Sequence, residues 1–264
     1  YIQIAVFDYV TTPAINDDSA KTPGPTNRKP ANLDLVNCII RGPVNFLRAT
    51  PSQQINVSWR NGLFASSDWF LQLPITMDTT LDIEQPLNAV DTPTSLTIEL
   101  QQLVVSATPG ILRLFNETIG ETRGLPPMID IAMVRSIFAT SPGSPIIFLD
   151  QTSAIDDQRY RPTIRGSGNY YQNTKLMFIE HDREDITRST QLTIDDLTVG
   201  SNSIPENDWF QQQNILPTDG ITWQATPVPP ITTPDYLQTP NHYQLLDYQA
   251  KLPGFDYHLL PVVE

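Results

Sequence analysis

The sequence predicts an all-β fold: a jelly-roll-type antiparallel β-sandwich with extended N- and C-terminal arms. Three observations point there. Apolar residues alternate with polar ones over strand lengths, as in Ser95-Leu96-Thr97-Ile98-Glu99-Leu100, the period of a half-buried strand. Such runs are separated by breaks rich in Pro and Asx, in a chain with 24 Pro but only 12 Gly among 264 residues. Helical periodicity is scarce. The candidates are Thr80–Asn88, stopped near Pro86, and Ile129–Arg135, which also suits a strand.

Residues 1–34 read as an N-terminal arm. Tyr1–Val10 alternates partly, like an edge strand. Pro13, Pro23, Pro25 and Pro30 then remove donors and bias their predecessors to extended geometry. Residues 35–216 read as the sandwich. Strands are expected at Leu35–Ile40, Gln54–Trp59, Trp69–Ile75, Ser95–Ala107, Ile111–Phe115, Ile129–Phe138, Ile146–Leu149, Lys175–Glu180, Gln191–Val199 and Ile221–Gln224. The low Gly count disfavours two-residue hairpins and favours longer loops, hence Greek-key connections; Thr152–Gly168 reads as one such loop. Residues 217–264 read as a second arm, with eight Pro interleaved with Tyr236, Tyr243, Tyr248 and Tyr257. This arm is too apolar for a solvated tail and is expected to lie on this chain or a neighbour.

The net charge of −13 argues against a nucleic-acid surface, and no run is apolar and long enough for a membrane span. Cys38 is alone, which excludes an intrachain disulfide, and its apolar surroundings suit a buried thiol. Two sequons, at Asn56 and Asn116, are expected by chance in such a composition. The chain does not begin with Met, which reads as a piece cut from something longer.

No catalytic signature appears. His181, His242 and His258 are scattered and match no metal-ligand spacing. There is neither a nucleophile elbow nor a phosphate-binding loop. Asp17-Asp18, Asp156-Asp157, Asp195-Asp196 and the Glu180–Asp185 cluster read as solvated loop charges without Ca²⁺-loop spacing. No catalytic, metal or cofactor-binding residue is assigned, and no cofactor or enzyme activity is expected. Asp68-Trp69-Phe70 recurs as Asp208-Trp209-Phe210 with flanks that do not align, so chance is the better explanation.

The layout of arm, β core and Pro/Tyr-rich arm, with an acidic and catalytically blank composition, resembles a capsid protein of the picorna-like viruses. The resemblance is one of layout and transfers no individual residue. It implies assembly with copies of itself and companion capsid chains into an icosahedral shell around the genome, in the virion and in the host cytoplasm during assembly. A host receptor is a further implied partner. Subunit contacts would fall on Tyr1, Phe7 and Tyr9 in the first arm, and on Tyr236, Tyr243, Tyr248, Phe255 and Tyr257 in the second. The alternative is a receptor-binding spike or adhesin domain on a virus, phage or bacterial surface. A third class is a β-sandwich hydrolase or carbohydrate-binding domain, which would depend on Asp68 and Trp69 or on Asp208 and Trp209.

Overall fold

The structure, a computed structural model, describes residues 30–48, 54–75, 95–116, 128–141, 143–150, 162–172, 178–181, 189–193, 210–215, 245 and 253–261. The strands among them are β1 (Ala31–Arg41), β2 (Leu47–Arg48), β3 (Ile55–Ser66), β4 (Leu71–Ile75), β5 (Ser95–Ala107), β6 (Leu112–Asn116) and β7 (Met128–Val134). They continue with β8 (Ile137–Ala139), β9 (Ile147–Asp150), β10 (Thr163–Ser167), β11 (Tyr170–Gln172), β12 (Phe178–His181), β13 (Ser189–Leu192) and β14 (Phe210–Gln213).

One sheet runs β1-β3-β5-β7-β10-β14, with β8 pairing β5 and β11 pairing β8; the other runs β13-β12-β9-β6-β4-β2. Every described pairing is parallel except β12 with β13. The chain passes from one sheet to the other and back, laying each coil beside the last. Ala31 lies opposite Ile55, Ile55 opposite Leu96, Leu96 opposite Ile129 and Ile164 opposite Phe210. This is a parallel β-solenoid, and it corrects the expected jelly-roll-type antiparallel sandwich. The long connectors and scarce Gly belong to coil returns, since parallel neighbours need crossovers of a dozen residues or more. Alternation records only that one face of a strand is buried, which a solenoid and a sandwich share.

A column of left-handed residues bends the larger sheet. Asn37, Asn61, Gln102, Arg135 and Asn214 have φ of 55°, 53°, 54°, 48° and 51°, and Gly168 has φ 66°. They occupy the same position in successive coils, between the two registered halves of each rung. The bend resets the alternation. In β5, Ile98 and Leu100 join the interior before it and Leu103 and Val105 after it, while Val104 packs outside. This accounts for the unbroken Leu103-Val104-Val105 run.

The core lies between the two sheets. Val57, Ile98, Ile131, Ile164 and Phe210 stack as one inward column of the larger sheet, in a cluster shared with Leu71, Leu112 and Ile147 of the smaller. At the β1 end an aromatic group fills the interior. Phe46 stacks on Phe70 with ring centroids 4.8 Å apart and tilts against Trp59 at 4.9 Å. Cys38 is half-buried against this core rather than fully enclosed. The turns stack as well: Phe46 N donates to Phe70 O, Phe70 N to Gly110 O and Ile111 N to Ile146 O.

A second apolar cluster sits on the outside. The column Ile39, Leu63, Val104, Ile137 and Tyr170 packs with Leu245, Phe255 and Leu260 from the C-terminal region. Gly254 N donates to Arg135 O, and the Asn61 carboxamide bonds both the N–H and the carbonyl of Asp256. A 3-10 turn spans Tyr257–Leu259.

Two expected boundaries move. Because β1 starts at Ala31, the last four residues of the expected N-terminal arm are strand. Thr163–Ser167, inside the stretch expected as a long loop, is β10. Residues 1–29 lie outside the described residues, as does the helix candidate Thr80–Asn88.

Candidate binding surface

A solenoid sets outward side chains of successive coils about 4.8 Å apart, in straight columns. On the larger sheet these columns are polar. Asn32, Asn56, Thr97, Asp130 and Thr163 form one; Asp34, Ser58, Glu99, Ala132, Arg165 and Gln211 form its neighbour. Asn56 Nδ2 donates to Asn32 Oδ1 at 2.8 Å, and the Arg165 guanidinium bonds both carboxylate oxygens of Asp130. The sequon residue Asn56 therefore sits in a strand, with its amide nitrogen already engaged.

The smaller sheet differs. Its outward column contains Arg48, Gln72, Arg113 and Phe148. Trp69 precedes β4 at the corner and stacks with Phe148, ring centroids 5.9 Å apart and planes within 14°. Gly110, φ 151°, stands between these coils. A Cβ there would overlap the Trp69 ring and come within 2.6 Å of Pro145 O, so only glycine lets the indole lie this close. Arg113 Cζ lies 5.0 Å from the centroid of Phe115. Trp69, Phe148 and Phe115 are half-buried and belong to neither apolar cluster.

Beside Trp69 the corner is fixed by polar contacts. Asp68 Oδ1 accepts from Trp69 N at 2.8 Å. The buried Ser66 hydroxyl accepts from Val44 N and Asp68 N and donates to Val44 O at 2.7 Å. With its amide turned to satisfy both ends, Asn45 donates to Trp69 O at 3.0 Å and to Asp68 Oδ1 at 3.2 Å. A ring, a carboxylate and a carboxamide are thereby held together on the outside of one corner.

Inside the C-terminal coils lies a polar group with no counterpart in the sequence reading. Asn169 is fully buried; its Oδ1 accepts from Ser136 N, and its Nδ2 donates to Met133 O and Gln212 Oε1, each at 2.9 Å. Tyr171 OH also donates to Gln212 Oε1, at 3.0 Å. Burial pushes the Tyr171 phenol well above its ordinary value, against a smaller opposing effect of the Asn169 amide. An interior cavity of about 10 Å³, walled by Leu100, Ile131, Met133 and Phe210, is apolar and too small for a ligand.

The expected subunit contacts are only partly placed. Tyr1, Phe7, Tyr9, Tyr236, Tyr243 and Tyr248 lie outside the described residues. Tyr257 opens the 3-10 turn, and Phe255 is buried on this chain's own outer cluster. Phe70 sits at a corner whereas Phe210 begins a strand of the larger sheet, so the Asp-Trp-Phe echo marks no equivalent positions. The sequence offers Asp68 and Trp69 only alongside Asp208 and Trp209, under the hydrolase or carbohydrate-binding class. Their partners Gly110 and Phe148 are not legible there, because two different coils supply them. Among the described residues no group of His, Cys, Asp and Glu could hold a metal, and no helix is long and apolar enough to cross a membrane. Comparison with protein-family models, with curated proteins and with solved structures finds no match.

Proposed function

We propose that this chain is a receptor-binding module of the spike or adhesin kind, a rigid solenoid whose outer faces make the contacts. The observation that carries the reading is the corner at Trp69, where an indole, the Asp68 carboxylate and the Asn45 amide are fixed outside the core. Outward rings with few rotatable bonds, flanked by oriented polar groups, suit recognition at low entropic cost. The capsid-shell reading leaned on an antiparallel jelly roll and on arm residues that mostly lie outside the described ones. With parallel sheets in place, no described feature favours it over the spike reading.

The test is saturable binding of the labelled chain to a panel of intact animal and bacterial cells, with sedimentation velocity on the same material. A discrete monomer, dimer or trimer with saturable binding to one cell class is expected. Closed particles formed with companion chains, and no cell binding, would replace this reading with the capsid one.

A further inference from the structure

We infer that the Trp69 corner is a sugar-binding site, and that its ligand is a neutral glycan presenting the flat face of a pyranose ring. The inference rests on the receptor-binding reading and narrows it to a ligand class. The apolar C–H face of a pyranose packs on an aromatic plane, and its equatorial hydroxyls need acceptors and donors beside that plane. Trp69 supplies the plane, braced by Phe148 on one side and by the missing side chain of Gly110 beneath. Asp68 supplies an acceptor whose position is set by Trp69 N–H and by Asn45, so little ordering is left to occur on binding. Gln72 and Arg113 follow along the same outer column, at the spacing of successive coils, and give further polar partners to a glycan running across the strands.

Charge selects among glycans. At −13 the chain repels polyanions at long range, and the corner carboxylate would face an acid group on the sugar stacked at Trp69; Arg48 and Arg113, in the same outer column, offset part of this repulsion. A neutral oligosaccharide escapes both penalties. Two other candidates among the described residues are weaker. The Asn169 and Gln212 amides are turned into the core, and the polar columns of the larger sheet offer no ring.

Isothermal titration with cellohexaose, mannohexaose, maltohexaose and the anionic hexagalacturonate tests the inference. At least one neutral hexasaccharide is expected to bind, and hexagalacturonate to bind at least tenfold more weakly, a difference of about 1.4 kcal/mol. Trp69→Ala should weaken the neutral ligand by about tenfold or more, as loss of an aromatic anchor does. Trp69→Phe should retain part of the affinity. Asp68→Asn keeps the acceptor for Trp69 N–H, so it tests the carboxylate even if Trp69→Ala fails to fold; a fall of about tenfold is expected. Arg165→Ala, on the opposite sheet, should bind as the parent does. Saturable cell binding unaffected by Trp69→Phe and Asp68→Asn would overturn the site and leave the receptor-binding reading standing. Absence of heat with all three neutral sugars, or tighter binding of hexagalacturonate, would overturn the ligand class.

Discussion

Early and late coils of the solenoid share one backbone corner and fill it in opposite ways. In β3 and β5 a single strand runs through the bend, and the space behind it is taken by Trp59, Phe64 and Leu103. In the later coils the strand breaks at Arg135 and at Gly168, and the space is taken by Ser136, Asn169 and Gln212. Gly166 stands where the earlier coils carry Trp59 and Leu100, and a Cβ there would come within 2.6 Å of Gln212 Oε1. A parallel ladder thus fixes where a side chain points without fixing its chemistry. An apolar filling tolerates loose direction, whereas the amide filling depends on how its donors and acceptors are aimed.

Substitutions in the two sets of coils separate these modes. Trp59→Ala should cost about 3–5 kcal/mol, the usual range for a large aromatic lost from a core, measured as a lower urea midpoint. Asn169→Ala should cost about 2–3 kcal/mol, because Ser136 N and Met133 O lose their partner in a buried place. Should Asn169→Ala prove the more damaging, the polar coil would be the keystone and the aromatic one secondary. Asn61→Ala should cost about 1–2 kcal/mol, from the left-handed conformation and the lost contacts to Asp256. It should also speed hydrogen exchange at Phe255 and Asp256 more than at β5.

The Tyr171 phenol gives the pH test of the amide coil. Its folded pKa is raised, so the unfolded chain gives up this proton near its ordinary value of 10.0 while the folded one keeps it. The stabilisation is complete below that value and declines as pH rises past it. Tyr171→Phe should cost about 1 kcal/mol at neutral pH and show a shallower loss than the parent between about pH 10 and 11. Smallest of all, Arg165→Ala should change stability by about 0–1 kcal/mol, since both partners of the pair are largely exposed.

Much of this architecture is present in the sequence at the level of strands and absent at the level of their pairing. Ser95–Ala107 is a strand with the expected bounds, and Ile146–Leu149 is displaced by one residue from β9. The pattern does not reveal β10 and β11. Thr163–Ser167 and Tyr170–Gln172 lie at the end of, or just past, a stretch whose charges and Pro162 read as loop, yet neighbours on the ladder supply their burial. Direction is illegible for a different reason. The coils are unequal, with Ile55 standing 24 positions after Ala31 and Leu96 standing 41 after Ile55, so no fixed repeat announces a solenoid. The corner column carries Asn, Gln, Arg and Gly in turn, and only its shared φ unites it. The proposed binding residues Asp68 and Trp69 are visible as a pair because they are adjacent in sequence. Their supports come from β9 and from the turn before β6.

The contact between Asn61 and Asp256, 195 residues apart, changes how the fold comes together in time. A stack of coils can grow or fray from either end, each coil depending only on its neighbours. The C-terminal segment has no such freedom, because its seat is made jointly by β3, β5, β8 and β11 and exists only once those coils have met. Docking of this segment therefore requires those coils to be in place. A chain built as a line acquires a latch, and the latch reports whether the line is complete.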